Sequence, residues 1–244
     1  MDHSATSARF NPAIPSIQAK TLDLPFRPPS IHERHGEKAA RAPAWTGRPV
    51  GGSVKRLFDI VVAAGALSVL GPILAVIWLL VRLESPGPGL FRQRRGGFQG
   101  RPFHIYKFRT MTTREARSIT QAKRDDGRVT RLGRFLRRYS IDELPQLLNV
   151  LLGDMSIVGP RPHALAHDRL FSGMDRRYCG RHRARPGITG LAQVSGARGQ
   201  TDTREKFLKR LEFDLKYVAS WSPVLDVEIM ARTVLVLFRD RDVF

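Results

Sequence analysis

The sequence predicts an α/β, mostly helical fold. An apolar N-terminal membrane segment with a break at its middle leads into a small domain with short strands and amphipathic interface helices. Three observations predict it. From Ile60 to Val81 there are 22 residues without a charge, enough for a helix to reach across a bilayer core of roughly 30 Å. "FHIYKFRTM" (103–111) alternates apolar and polar side chains, the period of a half-buried strand. "REKFLKRLEFDLKYV" (204–218) puts Phe207, Leu208, Leu211, Leu215 and Val218 on one helical face, the period of an amphipathic helix.

In chain order, residues 1–52 read as a disordered leader. "LDLPFRPPS" (22–30) and "GRPVGG" (47–52) cannot sustain a long helix, because proline lacks the N–H and glycine loses too much entropy. The leader is also too long and too polar before its first apolar run for a conventional signal peptide. Residues 53–84 form the membrane segment. Gly71 and Pro72 stand at its midpoint, and basic residues flank both ends: Lys55 and Arg56 before, Arg82, Arg92, Arg94 and Arg95 after. A spanning helix carries its positive bias on one side, whereas a helix–break–helix that dips in and returns carries it on both. A span and a re-entrant segment both stay open on these grounds.

Residues 85–244 form the globular domain. Residues 85–137 read as loop-rich, apart from the strand at 103–111 and a helix over "RVTRLGRFLRR" (128–138), where Leu132, Phe135 and Leu136 keep helical spacing. An apolar helix follows from Ile141 to Leu152. "GDMSIVGPRPH" (153–163) and "RPGITGLAQVSG" (185–196) read as Gly- and Pro-rich loops, and "SPVLDVEIMARTVLVLF" (222–238) as a last, more apolar helix. Core packing accounts for the apolar faces of the last two helices; beside a membrane segment, part of that surface could instead lie in the interface.

The formal net charge is +19, which implies anionic partners: nucleic acid, acidic headgroups or a phosphate-bearing substrate. Cys179 is the single cysteine, which excludes an internal disulfide and a cysteine-built zinc site and fits a reducing compartment. The seven histidines show no HExxH spacing, so no histidine-bound metal is expected.

Two adjacent carboxylates, Asp142 and Glu143, stand out in "YSIDELPQ" (139–146). Ser140 to Glu143 matches the S-x-x-E capping box, in which Ser140 caps a helix, Glu143 returns a bond and no chemistry is needed. The neighbours support a second reading. Arg137 and Arg138 come one turn earlier, and Arg161 is fixed between two prolines in "GPRP", where its fork could hold a phosphate with little ordering cost. A helix beginning at Asp142 would also point N–H groups at an anion. Mg²⁺ takes one or two carboxylates plus phosphate oxygens, and a carboxylate beside a polarised phosphoryl centre can act as a nucleophile.

From about Lys55 to about Phe238 the chain resembles the bacterial sugar transferases, the small monotopic polyprenyl-phosphate phosphoglycosyltransferases of the exopolysaccharide-initiating type. The resemblance rests on "KRLFD", the apolar segment, "ESPGPGLFRQRRGG", "YKFRTM", "SIDELPQLLNVLLGDMSIVGPRP" and "RPGITGLAQVSG", in that order. It implies a re-entrant membrane helix-break-helix and a small catalytic domain on the cytoplasmic face of the bacterial inner membrane. It also implies transfer of a sugar-1-phosphate from a UDP-sugar to undecaprenyl phosphate, with Mg²⁺ and release of UMP. Asp142 would be the nucleophile that forms a phosphosugar–aspartyl intermediate, and Glu143, with Asp142, would hold the metal. Arg161 would bind substrate phosphate, with Arg137 and Lys107 as further basic contributors. Family members break the membrane helix at Ser-Pro; here the pair is Gly71-Pro72, which keeps the proline and lacks the hydroxyl.

A membrane-tethered basic nucleic-acid-binding protein is the alternative that the charge allows. Few Tyr and Trp residues, no base-reading motif and arginines clustered around Gly/Pro loops argue for no nucleic-acid partner. Membrane lipids are expected partners, and the C-terminal apolar helix leaves a homodimer open.

Overall fold

The structure is a computed structural model that describes residues 47–112, 126–199 and 201–239. The leader expected over 1–52 lies, through residue 46, outside the described residues. In chain order the elements are α1 (Gly52–Glu84), β1 (Leu90–Gly96), β2 (Pro102–Phe108), α2 (Arg131–Arg138), α3 (Gln146–Leu152), β3 (Ser156–Val158), α4 (Leu165–Met174), β4 (Gly187–Thr189), α5 (Leu191–Val194), α6 (Arg204–Ser220) and α7 (Pro223–Arg239), with 3₁₀ segments at Ile141–Glu143 and Arg176–Arg183. The chain is mostly helical, with two two-stranded sheets among the described residues.

α1 is 33 residues long, about 50 Å at 1.5 Å per residue. Among the described residues it is the one helix long and apolar enough to cross a membrane. Its helical conformation runs through Gly71-Pro72, so the break expected there does not interrupt the helix. Proline removes one backbone hydrogen bond and crowds one turn, and a helix absorbs that locally while continuing on both sides. Apolar side chains around the pair, Val69, Ile73 and Val76, are exposed.

Both ends of α1 dock on the globular unit. At the start, Lys55 is buried and pairs with Asp226 of α7 at 2.6 Å. Asp59 accepts from the Ser156 hydroxyl at 2.9 Å and the Ile157 N–H at 3.0 Å, and Arg56 donates to the carbonyls of Val150 and Leu151 at the end of α3. At the finish, Val81 packs with Phe108 and Leu136, and Arg109 donates to the carbonyls of Val81, Ser85 and Pro86. The polar residues of "KRLFD" and the arginine of "YKFRTM" are therefore anchors, and Arg56 and Arg109 among them satisfy orphan carbonyls that helix ends leave.

The strand expected at 103–111 forms as β2, and it pairs antiparallel with β1, from Leu90↔Phe108 to Gly96↔Pro102. β1 falls in a stretch expected to be loop, because "LFRQRRG" is mostly polar: much of this edge is solvent-facing and shows no apolar alternation. Asn149 of α3 is fully buried and locks β2 in place, accepting from the Tyr106 N–H at 3.0 Å and donating to the His104 carbonyl at 2.7 Å.

The two Gly/Pro loops also contain strands. β3 and β4 pair in parallel, Ser156 with Gly187 and Val158 with Thr189. The approach needs glycine: a Cβ on Gly187 would stand 2.1 Å from the Gly159 nitrogen. Of the amphipathic helices, α6 follows expectation and α2 does so only in part. α6 buries Phe207, Leu211 and Val218, and α2 buries Leu136 while leaving Phe135 about half exposed.

The expected continuous helix from Ile141 to Leu152 is two pieces. Pro145 has no N–H to return to residue 141. The chain instead closes 3₁₀ turns, Glu143 N–H to the Ser140 carbonyl at 3.2 Å and Leu144 N–H to the Ile141 carbonyl at 3.1 Å, before α3 begins at Gln146. The capping box is not formed. Ser140 takes a left-handed φ of 56° and makes no side-chain cap bond; its hydroxyl accepts from Arg198 at 2.6 Å. Of the N–H groups expected to face an anion at Asp142, those of Glu143 and Leu144 are consumed by these turns.

Candidate active site

The 3₁₀ turn places two adjacent carboxylates in different surroundings. The Glu143 carboxylate accepts from Lys107 Nζ at 2.6 Å and from both guanidinium ends of Arg161, at 3.0 and 2.5 Å. Alternation along β2 puts Lys107 on the inward face after Phe103 and Ile105, which carries its ammonium to the dyad. Arg161 arrives from the segment after β3. Asp142 is buried at 8% exposure, and no side chain among the described residues hydrogen-bonds its carboxylate.

Burial opposes charge on both acids, and the neighbours then separate them. Burial pushes Asp142 up to about 6, against the pull of Lys107, Arg137 and Arg161, and the Glu143 charge adds to the rise. Burial also penalises Glu143, yet Arg161 and Lys107 outweigh it and hold that carboxyl well below the usual range. Environments that push two neighbouring carboxylates apart assign them different tasks. Here Glu143 is a permanently ionised clamp and Asp142 a buried, more basic carboxylate without a hydrogen-bond partner.

The structure thus brings together Lys107, Asp142, Glu143 and Arg161, and Arg137, in the last turn of α2, lies within reach of Asp142's charge. Gly71 and Pro72 stand at the middle of α1, away from the dyad in sequence and fold element. Residues beyond the expected set complete the surroundings. Arg181 is buried, pairs with buried Asp214 of α6 at 2.9 Å and donates to the Arg161 carbonyl, which fixes the backbone that aims Arg161. Tyr178 donates to Asp168 behind it, and His163, after "PRP", is held neutral by burial and nearby arginines. A shallow cleft beside the dyad is lined by Arg95, Ile105, Lys107, Gln146, Arg161 and Pro162. In sequence Arg95 is one of three arginines in "RQRRGG" and Gln146 one polar residue in an apolar run, and no spacing marks either.

No group of three or more metal-ligating His, Cys, Asp or Glu side chains occurs among the described residues. The dyad offers Asp142 and what remains of Glu143, whose oxygens already take three hydrogen bonds. Such a donor set fits a hard cation that brings most of its own oxygen ligands, as Mg²⁺ does when it arrives on a diphosphate.

Part of the positive charge is spent inside the fold. Arg56, Arg109, Arg181, Arg185 and Arg210 donate to backbone carbonyls, so they form no outward patch for nucleic acid. A carboxylate dyad set among cations thus stands in the same unit as a helix long and apolar enough to cross a membrane. The chain belongs to the bacterial sugar transferase family, whose model matches residues 50–240.

Its relatives include the UDP-glucose:undecaprenyl-phosphate glucose-1-phosphate transferase of Caulobacter vibrioides, 55% identical over 74% of this chain and 68% of that one. The protein of the same name from Escherichia coli is 52% identical over 74% of this chain and 39% of its own length, so the chain spans well under half of that relative. The exopolysaccharide production protein PSS of Rhizobium leguminosarum is 47% identical over 75% of this chain and 94% of that protein.

Proposed function

We propose that the protein transfers a sugar-1-phosphate from a UDP-sugar to undecaprenyl phosphate, as the first membrane step of exopolysaccharide or related glycan assembly. The observation that carries this reading is the division of the dyad: Glu143 gripped by Lys107 and Arg161, and Asp142 buried beside it without a hydrogen-bond partner. In the first step an Asp142 oxygen attacks the sugar-bearing phosphorus. The bond from that phosphorus to the bridging oxygen breaks, and UMP leaves with the electron pair. In the second step an oxygen of undecaprenyl phosphate attacks the same phosphorus, the phosphorus–aspartyl bond breaks, and the Asp142 carboxylate returns. Neither step needs a proton from the protein. Lys107 and Arg161 hold Glu143 in place and present positive charge where the phosphoryl oxygens gather. Asp142 and Glu143 would hold Mg²⁺, which when bound neutralises charge on the diphosphate.

Purified protein incubated with Mg²⁺ and labelled UDP-sugars, without acceptor, is expected to release UMP and retain label on Asp142 from at least one donor. No UMP and no adduct from any donor would sink the mechanism. The names of the relatives put a UDP-glucose donor first in the panel, with N-acetylated hexoses next, since a further relative from Aeromonas hydrophila is named for N-acetylgalactosamine.

Re-entry of α1 is supported by its two docked ends, and with it we propose that the domain lies on the cytoplasmic face of the inner membrane. A spanning helix would carry its far end away from the domain, whereas Lys55 and Val81 both pack against it. Re-entry then takes the form of a bend at Gly71-Pro72 inside a continuous helix. With Cys179 changed to Ser, single cysteines at Ser53 and Pro88 are expected to label from the same side of the membrane; labelling from opposite sides would establish a span.

A further inference from the structure

Two polar atoms near the dyad are buried without a partner: Nε2 of Gln146 and Nε of Arg95. Gln146 is only 1% exposed, and both residues line the cleft beside the dyad. The rest of the Arg95 guanidinium is fixed, donating to the Pro162 carbonyl at 3.3 Å and to Gln93 Oε1 at 2.5 Å. A buried donor left unsatisfied is costly, and native proteins keep few of them unless a ligand or water completes the bond.

The chemistry of the cleft narrows the ligand. Arg95, Lys107 and Arg161 can only donate, and the orphaned atom of Gln146 is a donor too. A sugar or a uracil ring presents donors as well as acceptors, whereas a phosphate at neutral pH presents acceptors and negative charge. The cleft measures about 20 Å³, far below the roughly 300–1,000 Å³ of pockets that enclose a whole small-molecule ligand. It therefore takes one piece of a larger substrate.

We propose that Arg95 and Gln146 form the subsite for the donor's second phosphate, the one that departs on the nucleotide. The proposal rests on the reaction described above. Neither Asp142 nor Glu143 lines the cleft, while Lys107 and Arg161 both line it and grip Glu143. A diphosphate whose sugar-bearing phosphorus faces Asp142 has its other phosphate one bridging oxygen away, and the cleft is the adjoining place built from donors. As the Asp142 oxygen bonds to phosphorus, the bond to the bridging oxygen breaks and its electron pair stays on the departing phosphate. The N–H groups of Arg95 and Gln146 take up that growing charge.

The test compares wild type with Arg95→Gln, Arg95→Lys and Gln146→Leu, using a UDP-sugar that the wild type accepts. UMP release without acceptor reads the first step. Transfer from isolated adduct to undecaprenyl phosphate reads the second, and inhibition by UMP and thermal melting complete the set. UMP inhibition is expected to weaken about 10–100-fold in Arg95→Gln and about 2–10-fold in Gln146→Leu, with partial rescue in Arg95→Lys. The first step slows. Gln146→Leu is expected to melt at or above wild type, because leucine of similar size removes the orphaned donor. A slowed second step with normal UMP inhibition would hand the cleft to the acceptor phosphate and overturn the proposal. Lower melting with normal UMP inhibition would make Gln146 structural, with the same consequence. A wild type that releases no UMP from any donor overturns the reaction and this assignment together, whereas variants matching an active wild type overturn the subsite alone.

Discussion

Asp142→Asn is expected to abolish the covalent adduct and lower turnover by at least about 10³-fold, while melting at the same or a higher temperature at pH 7.5. Loss of activity follows from the amide's inability to attack phosphorus. Gain of stability follows from burial. The Asp142 carboxyl is pushed up to about 6 from an ordinary 3.8, so the folded state binds its proton more tightly than the unfolded chain does. That preference contributes roughly 3 kcal/mol; it is fully present below pH 4 and is lost as pH rises through about 6. Wild type therefore carries the cost of a buried charge at neutral pH, and asparagine does not. The difference in melting temperature should shrink as both proteins are taken towards pH 4.5. Rates give a second readout: UMP release by wild type should fall about tenfold per pH unit below pH 6, as the nucleophile is protonated. An asparagine variant that still accumulates adduct would place the nucleophile elsewhere.

This arrangement shows which parts of the molecule could be read from sequence. Where a stripe repeats over several turns the reading holds, as in α6, whose Phe207, Leu211 and Val218 are buried where the period puts them. β3 and β4 have three residues each, too few for any period, and their pairing depends on glycines that let distant backbone segments approach. The capping box at Ser140 fits the motif but fails in three dimensions, because Pro145 prevents the bond that would extend the helix upstream. Charge misleads in a similar way. A net +19 suggests that every arginine faces solvent, as Arg92, Arg94, Arg131 and Arg134 do, yet Arg109, Arg181 and Arg210 are each no more than 6% exposed and anchor the backbone inside the fold. Asp142, Glu143, Lys107 and Arg161 were accessible through loop chemistry and family resemblance. Arg95, Gln146 and Arg181 act through contacts that only the folded chain creates, and nothing local distinguishes them from solvated neighbours.

Arg161→Ala is expected to lower kcat/KM by about 100-fold or more and to move the acid limb of the pH–rate profile above pH 6. The first effect has two sources, loss of a guanidinium for substrate phosphate and loss of the fork that sets Glu143. The second separates them. Arg161 is one of the cations that oppose the burial-driven rise of Asp142; without it the nucleophile holds its proton to higher pH, so the limb shifts alkaline. Glu143 is also left with Lys107 as its remaining partner, and a partly buried carboxylate that loses a bidentate arginine costs about 1–3 kcal/mol of stability. Because the two side chains act as a unit, Glu143→Gln combined with Arg161→Ala should melt higher than the sum of the single changes predicts. Arg161→Lys restores charge but not the fork, so it should return the acid limb towards pH 6 while recovering only part of kcat/KM. An acid limb that stays at about pH 6 in Arg161→Ala would mean that Asp142 does not feel this charge. Arg161 would then serve the substrate alone, and Lys107 and burial would be left to set the nucleophile.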